Sequence, residues 1–190
     1  MITREKFDFI KEKYGHHASW AVWAEPVDTS KTNMGDLTIL DPEINKDLLS
    51  QLNPNIILVA LNFSMEVKHE PWGNFHSDGQ HRQDYKARYA LKDSQYWGGY
   101  MTDILKDYPE LESGKVMAYL RKNPSFELKN VKSFLQELKD LDSKNPIIIA
   151  FGSIVYEILK KNLPDHNIQK ITHYAHFVNL EKYREEVLKL

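Results

Sequence analysis

Asn62 ends an unbroken apolar run, Ile56 to Leu61, and is soon followed by Trp72, Phe75 and His76. An asparagine amide both donates and accepts, so it can orient a water molecule. The rings of Trp72 and Phe75 offer faces on which a flat group can stack. Further along, Tyr100-Met-Thr-Asp103 supplies a carboxylate that only accepts hydrogen bonds when ionised, and His173-Tyr-Ala-His176 supplies a ring N–H able to steady a developing anion. An amide is no base near neutral pH, so Asp103 is the obvious carboxylate for any step that needs one. Each of these residues also has a purely structural reading. Asn62 turns the chain out of a strand, Trp72 and Phe75 cover a core, Asp103 caps a helix, and His173 is a satisfied buried histidine.

Other chemistries lack their residues. The chain has no cysteine, which removes disulfides, thiolate nucleophiles, iron–sulfur clusters and cysteine zinc sites. There is no Gly-x-Ser-x-Gly elbow, and Phe151-Gly-Ser153 is a single-glycine turn with no phosphate-binding loop. Eight histidines include the pairs His16-His17 and His173-x-x-His176, with His69, His76 and His81 scattered between. None has helix-borne zinc spacing, so no metal is expected.

The elements that must position these residues follow from apolar periodicity. Apolar runs of strand length mark core strands at 56–61, 147–151 and 168–172. Asn62 and His173 then both lie just past the ends of strands. Ala18 to Ala24 reads as a short strand or extended segment, and Tyr100 to Leu105 as a short strand ending near Asp103. Helical spacing predicts helices over 3–14, 42–52, 82–91, 126–141, 153–163 and 180–188, with Ser153 as a cap. Pro109, Gly114 and Pro124 mark 107–124 as loop-like. Alternating helices and strands predict one domain over 1–190, an α/β/α three-layer sandwich with a mostly parallel sheet. In open sheets of this kind, ligands sit outside the carboxyl ends of the strands.

Composition is that of a soluble globular protein large enough to bury its own core. The net charge is −2, which argues against a strongly cationic nucleic-acid binder. Acidic residues prevail up to Gly114 and basic ones after it. No run is long enough to span a bilayer, and the charged start Met1-Ile-Thr-Arg-Glu-Lys lacks a signal-peptide core. A cytoplasmic protein without membrane contact is the expectation.

In order and spacing, Leu58-Val-Ala-Leu-Asn62, Tyr100-Met-Thr-Asp103, the Ile149-Ala-Phe-Gly152 turn and His173-Tyr-Ala175 resemble the uracil-DNA glycosylase superfamily across roughly residues 50–178. The resemblance implies a parallel sheet between helices and a DNA-repair hydrolase that cleaves the N-glycosidic bond of a base. It needs no cofactor. It places Asn62 where the family positions the attacking water, and His173 at the head of the second motif. Asp103 falls in the region that reads the base, with Phe75 or Trp72 as the stacking face. The family continues Asn-Pro-Gly where this chain has Asn62-Phe-Ser64, and His-Pro-Ser where it has His173-Tyr-Ala175. The implied partner is DNA or a nucleobase-containing small molecule. A DNA backbone would call for a cationic rim, for which Arg82, Arg88, Arg121 and Lys122 are the candidates. A second function stays open: binding of a nucleobase or nucleic acid without cleavage, which the altered second motif and the mild acidity favour.

Overall fold

The computed structural model describes residues 2–62, 70–79, 82–106, 108–176 and 178–190. Its elements are α1 (Arg4–Tyr14), β1 (Ala18–Trp20), a 3-10 turn (Leu37–Leu40), α2 (Leu48–Gln51), β2 (Asn53–Asn62), α3 (Asp84–Leu91), β3 (Gly99–Leu105), α4 (Ser113–Lys122), α5 (Pro124–Asp140), β4 (Ile147–Phe151), α6 (Ser153–Asn162), β5 (Asn167–Ile171) and α7 (Leu180–Leu188). The strands form one sheet in the order β1-β3-β2-β4-β5. β3, β2, β4 and β5 are parallel, and the short edge strand β1 runs antiparallel to β3. The sheet is thus mixed and mostly parallel.

β2 lies inside the sheet, and its side chains alternate between two apolar clusters. Ile57 and Val59 join Phe7 and Ile10 of α1, Val116 of α4, Phe134 of α5 and Ile158 of α6. Ile56, Leu58 and Ala60 join Ala87 and Leu91 of α3 and Tyr183 and Val187 of α7. A strand covered by helices on both faces reads as a continuous apolar run, which is why it stands out in the sequence. β3 alternates likewise. Thr102 turns to one side and donates to buried Glu137 at 2.9 Å, while Met101 packs in the opposite cluster with Asp103 two positions on. Glu137 also accepts from Tyr100 at 2.7 Å and pairs with Lys106 at 2.7 Å, a charge network that fixes the end of β3.

Several boundaries differ from the sequence reading. The helix expected over 42–52 shrinks to Leu48–Gln51, preceded by turns. Residues 113–122 form a helix where a loop is expected, because Val116 and Leu120, one turn apart, both bury against the core. Pro124 is the first residue of α5, where its missing N–H has no consequence. The extended segment after Trp20 is buried to Ala24 but makes no strand.

Chain direction sets the location of any site. From β2 the chain steps to β3 on one side, then crosses back to β4 and β5 on the other. The crevice at such a switch point opens at the carboxyl ends of β2 and β4.

Candidate functional site

A cavity of about 570 Å³ occupies that crevice. The end of β2 contributes Ala60, Leu61 and Asn62, and the 70–79 loop contributes Gly73, Asn74, Phe75 and Ser77. Asp103 comes from β3 and Asp84 from the start of α3. Gly152 to Val155 follow β4, and His173 to His176 follow β5. Asn62, Phe75, Asp103 and His173 thus line one cavity. Ser64, His69 and His81 lie outside the described residues.

Trp72 does not line it. Its ring is 1 % exposed and packs on Phe7 and Trp20, with centroids 5.5 and 6.3 Å away. It belongs to the core on the α1 side, which corrects its expected stacking role. Trp72 and Phe75 both adopt left-handed backbone, with φ of 74° and 67°. Such geometry in bulky residues costs about 1–3 kcal/mol each and persists only where surrounding contacts hold it. Here the Trp72 N–H donates to the Gly15 carbonyl at 2.7 Å, and the carbonyls of Trp72 and Phe75 accept from Ser19 Oγ and Trp23 Nε1 at 2.9 and 3.0 Å. The two turns send Trp72 into the core and Phe75 to the cavity wall.

Asp103 is a strand residue and caps no helix. It is 2 % exposed, and Asn74 Nδ2 donates to its Oδ2 at 2.9 Å. Burial pushes its carboxyl up to about 7, against the opposing pull of Lys106 and Asn74. A cavity carboxylate that changes state near neutral pH is suited to proton transfer and to pH-dependent recognition.

His173 stacks on Tyr174 at 4.5 Å, and its Nδ1 accepts from the Ala175 backbone N–H at 3.0 Å. Burial, then His176, lowers its pKa to about 4. The ring is therefore neutral at pH 7 with its proton on Nε2, a donor. Gly152, with φ of 91°, makes the turn ahead of it; Gly152 is the N-cap of α6 and Ser153 its first residue, in place of the expected Ser153 cap.

Asn62 has an anchoring part. Its Nδ2 donates to the carbonyls of Tyr108 and Glu110 at 2.8 and 2.9 Å, tying the end of β2 to the segment before α4. Both amide protons are thereby engaged, so contact with a water would go through Oδ1.

Asp84 and Tyr174 are cavity residues that the sequence reading missed. Asp84 accepts from the Ser77 N–H at 3.1 Å and bonds to the Tyr174 phenol; burial raises its pKa. The triplet joins the start of α3 to two loops at the cavity. Asp84 looked like an ordinary acidic residue in the first turn of a helix, and no sequence signal marks a tyrosine that reaches it from ninety positions away.

Of the four rim candidates, Arg82 lines the cavity. Arg88 is 4 % exposed and donates to the carbonyls of Ala24, Ser30 and Thr32 at 2.7, 2.8 and 2.8 Å, holding the 24–33 loop. Arg121 and Lys122 end α4, whose opposite end, Ser113, touches the cavity. Among the described residues, no group of three histidine or acidic side chains could hold a metal ion, and no helix is long and apolar enough to cross a membrane.

Comparison with protein families, curated proteins and solved structures finds no match for the chain.

Proposed function

We propose that this chain is a uracil-DNA glycosylase-like protein that binds a nucleobase in the cavity and hydrolyses its N-glycosidic bond. One observation carries the reading: Asn62, Phe75, Asp103 and His173, far apart in sequence, line one cavity at the carboxyl ends of the strands. If each were only a turn, core or strand residue, nothing would require them to meet. The chemistry fits the reaction. The bond between C1′ and the base nitrogen breaks, water adds its oxygen to C1′, and its proton goes to the departing base. Positive charge develops on the sugar and negative charge on the base. Phe75 stacks on the base, Asp103 reads its edge, the Nε2–H of His173 steadies the anion, and Asn62 Oδ1 accepts from the attacking water.

The lining favours a base carried on a small nucleoside over one in a phosphate backbone. Among its described residues, Arg82 is the single Lys or Arg, beside the carboxylates of Asp84, Asp103 and Glu110. A second reading, binding without turnover, is favoured by the engagement of both Asn62 amide protons with loop carbonyls.

Release of free base from nucleosides and oligonucleotides carrying uracil, hypoxanthine or xanthine tests the proposal. Release that survives combined Asn62→Ala and His173→Ala overturns the assigned roles. Tight base binding with no release from any substrate establishes the second reading.

A further inference from the structure

Apart from Arg82 and Gln83 just ahead of Asp84, the two flanks of the cavity differ in hydrogen-bonding sense. On the β3 side, Asn74 Nδ2 spends both protons on the protein, donating to Asp103 Oδ2 and to the His17 carbonyl, each at 2.9 Å. Two acceptors at the two protons fix which end of the amide is the NH2 group, so Asn74 meets a ligand through its oxygen alone. Asp103 beside it accepts only when ionised. Asp84, also in the lining, is a third acceptor. On the other side of β2, past the ends of β4 and β5, the sense reverses. His173 carries its proton on Nε2, because Nδ1 accepts from Ala175. The first turn of α6, whose residues Gly152 to Val155 line the cavity, begins at a glycine N-cap with no side-chain cap, so its first backbone N–H groups lack that acceptor.

A flat base held by the carboxylate of Asp103 needs two adjacent N–H donors for its two oxygens, with a carbonyl acceptor next to them to meet a donor. Uracil and xanthine present an N–H flanked by two carbonyl oxygens, so whichever way they lie one of those oxygens would face the second oxygen of the carboxylate. Cytosine and adenine pair an amine with an unprotonated ring nitrogen, which would face a carboxylate lone pair. Guanine presents N1–H and its 2-amino group side by side, matching the two oxygens of one carboxylate, with O6 beside N1–H on the side away from the amine. We propose that the cavity selects a guanine-type base, a 2-amino-6-oxopurine, with its N1–H and 2-amino edge on Asp103 and Asn74 and its O6 toward His173 and the start of α6. This rests on the nucleobase reading above and adds the identity of the base. Asp103 and Asn74 become the specificity-determining pair.

The test is calorimetric binding of 9-methylguanine, 9-methylhypoxanthine, 9-methylxanthine and 1-methyluracil to the whole protein at pH 8. None of these probes has a glycosidic bond to cleave. 9-Methylguanine should bind at least tenfold more tightly than 9-methylhypoxanthine, which differs only by the missing amine, since that loss leaves a buried acceptor unpaired. Asp103→Asn, folded by its melting curve, should cut the advantage below threefold; a full advantage in that variant overturns the proposal. Should the variant not fold, the probe series on the unaltered protein decides. Binding of 1-methyluracil, 9-methylhypoxanthine or 9-methylxanthine as tightly as 9-methylguanine overturns the guanine assignment and leaves the nucleobase reading standing. No binding by any of the four overturns both.

Discussion

Trp72 and Phe75 lie three residues apart in one loop, both in left-handed backbone, and are turned to opposite purposes. Trp72 is sealed against Phe7 and Trp20, whereas Phe75 forms part of the cavity wall. Phe75 is itself 5 % exposed and packs in the opposite apolar cluster, so truncating either ring should cost stability and only Phe75→Ala should also cost binding. Trp72→Ala removes a large buried ring and should cost about 3–5 kcal/mol of folding free energy, while the folded protein keeps its affinity for 9-methylguanine within about twofold. Phe75→Ala should lower that affinity by about five- to a hundredfold, the value of one base–aromatic stack of roughly 1–3 kcal/mol. Urea denaturation and calorimetry read the two effects. Equal affinity loss in both variants would mean that the loop acts as one unit and that Phe75 has no stacking role.

At the scale of elements, the three core strands and α1, α5, α6 and α7 were legible in the sequence because one-sided or two-sided burial leaves a period in the residues. α4 was not, since Gly114 and the flanking prolines outweighed a single buried pair, Val116 and Leu120. The positions of Asn62 and His173 past strand ends were legible for the same reason as the strands. The Asp84–Tyr174 clamp and the anchoring of Asn62 were not. Both depend on loops meeting in space, and no periodicity records that. Asn62 joins β2 to the segment ahead of α4 through two donated bonds, which makes a sharp test of its two roles. Asn62→Asp keeps an acceptor for water and loses both donors. The anchor should fail, at a cost of about 1 kcal/mol for each part-buried hydrogen bond lost, with faster amide exchange over 108–112. Base release should persist if water orientation is its part in the reaction. Unchanged exchange in that segment would contradict the anchoring role.

The whole molecule's response to pH is set by buried groups of opposite kind. His17, His76 and His173 are held at about 3, about 3 and about 4, burial being the first cause in each. An unfolded imidazole titrates near 6.5, so below that pH the unfolded chain binds more protons than the folded one. Each histidine's contribution is therefore full above about 6.5 and lost as pH falls, at up to about 1.4 kcal/mol per pH unit. Asp103 acts in the other direction. Its carboxyl, raised from 3.8 to about 7, keeps its proton in the fold where the unfolded chain has released it. That contribution is full below about 4 and is lost as pH rises through about 7. Between pH 4 and 6.5 three histidines outweigh one carboxylate, so stability should climb with pH. An unfolded imidazole is still half protonated at pH 6.5, so the three histidines go on offsetting Asp103 beyond it, and stability should level off between pH 7 and 8. Urea denaturation between pH 5 and 9 should show that plateau, and Asp103→Asn, which removes the opposing carboxyl, should steepen the climb between pH 5 and 7 by up to about 1.4 kcal/mol per pH unit. Equal slopes in wild type and Asp103→Asn between pH 5 and 7 would mean that Asp103 is ionised in the fold throughout this range. The pH dependence expected of base recognition by a carboxyl titrating near 7 would then disappear as well.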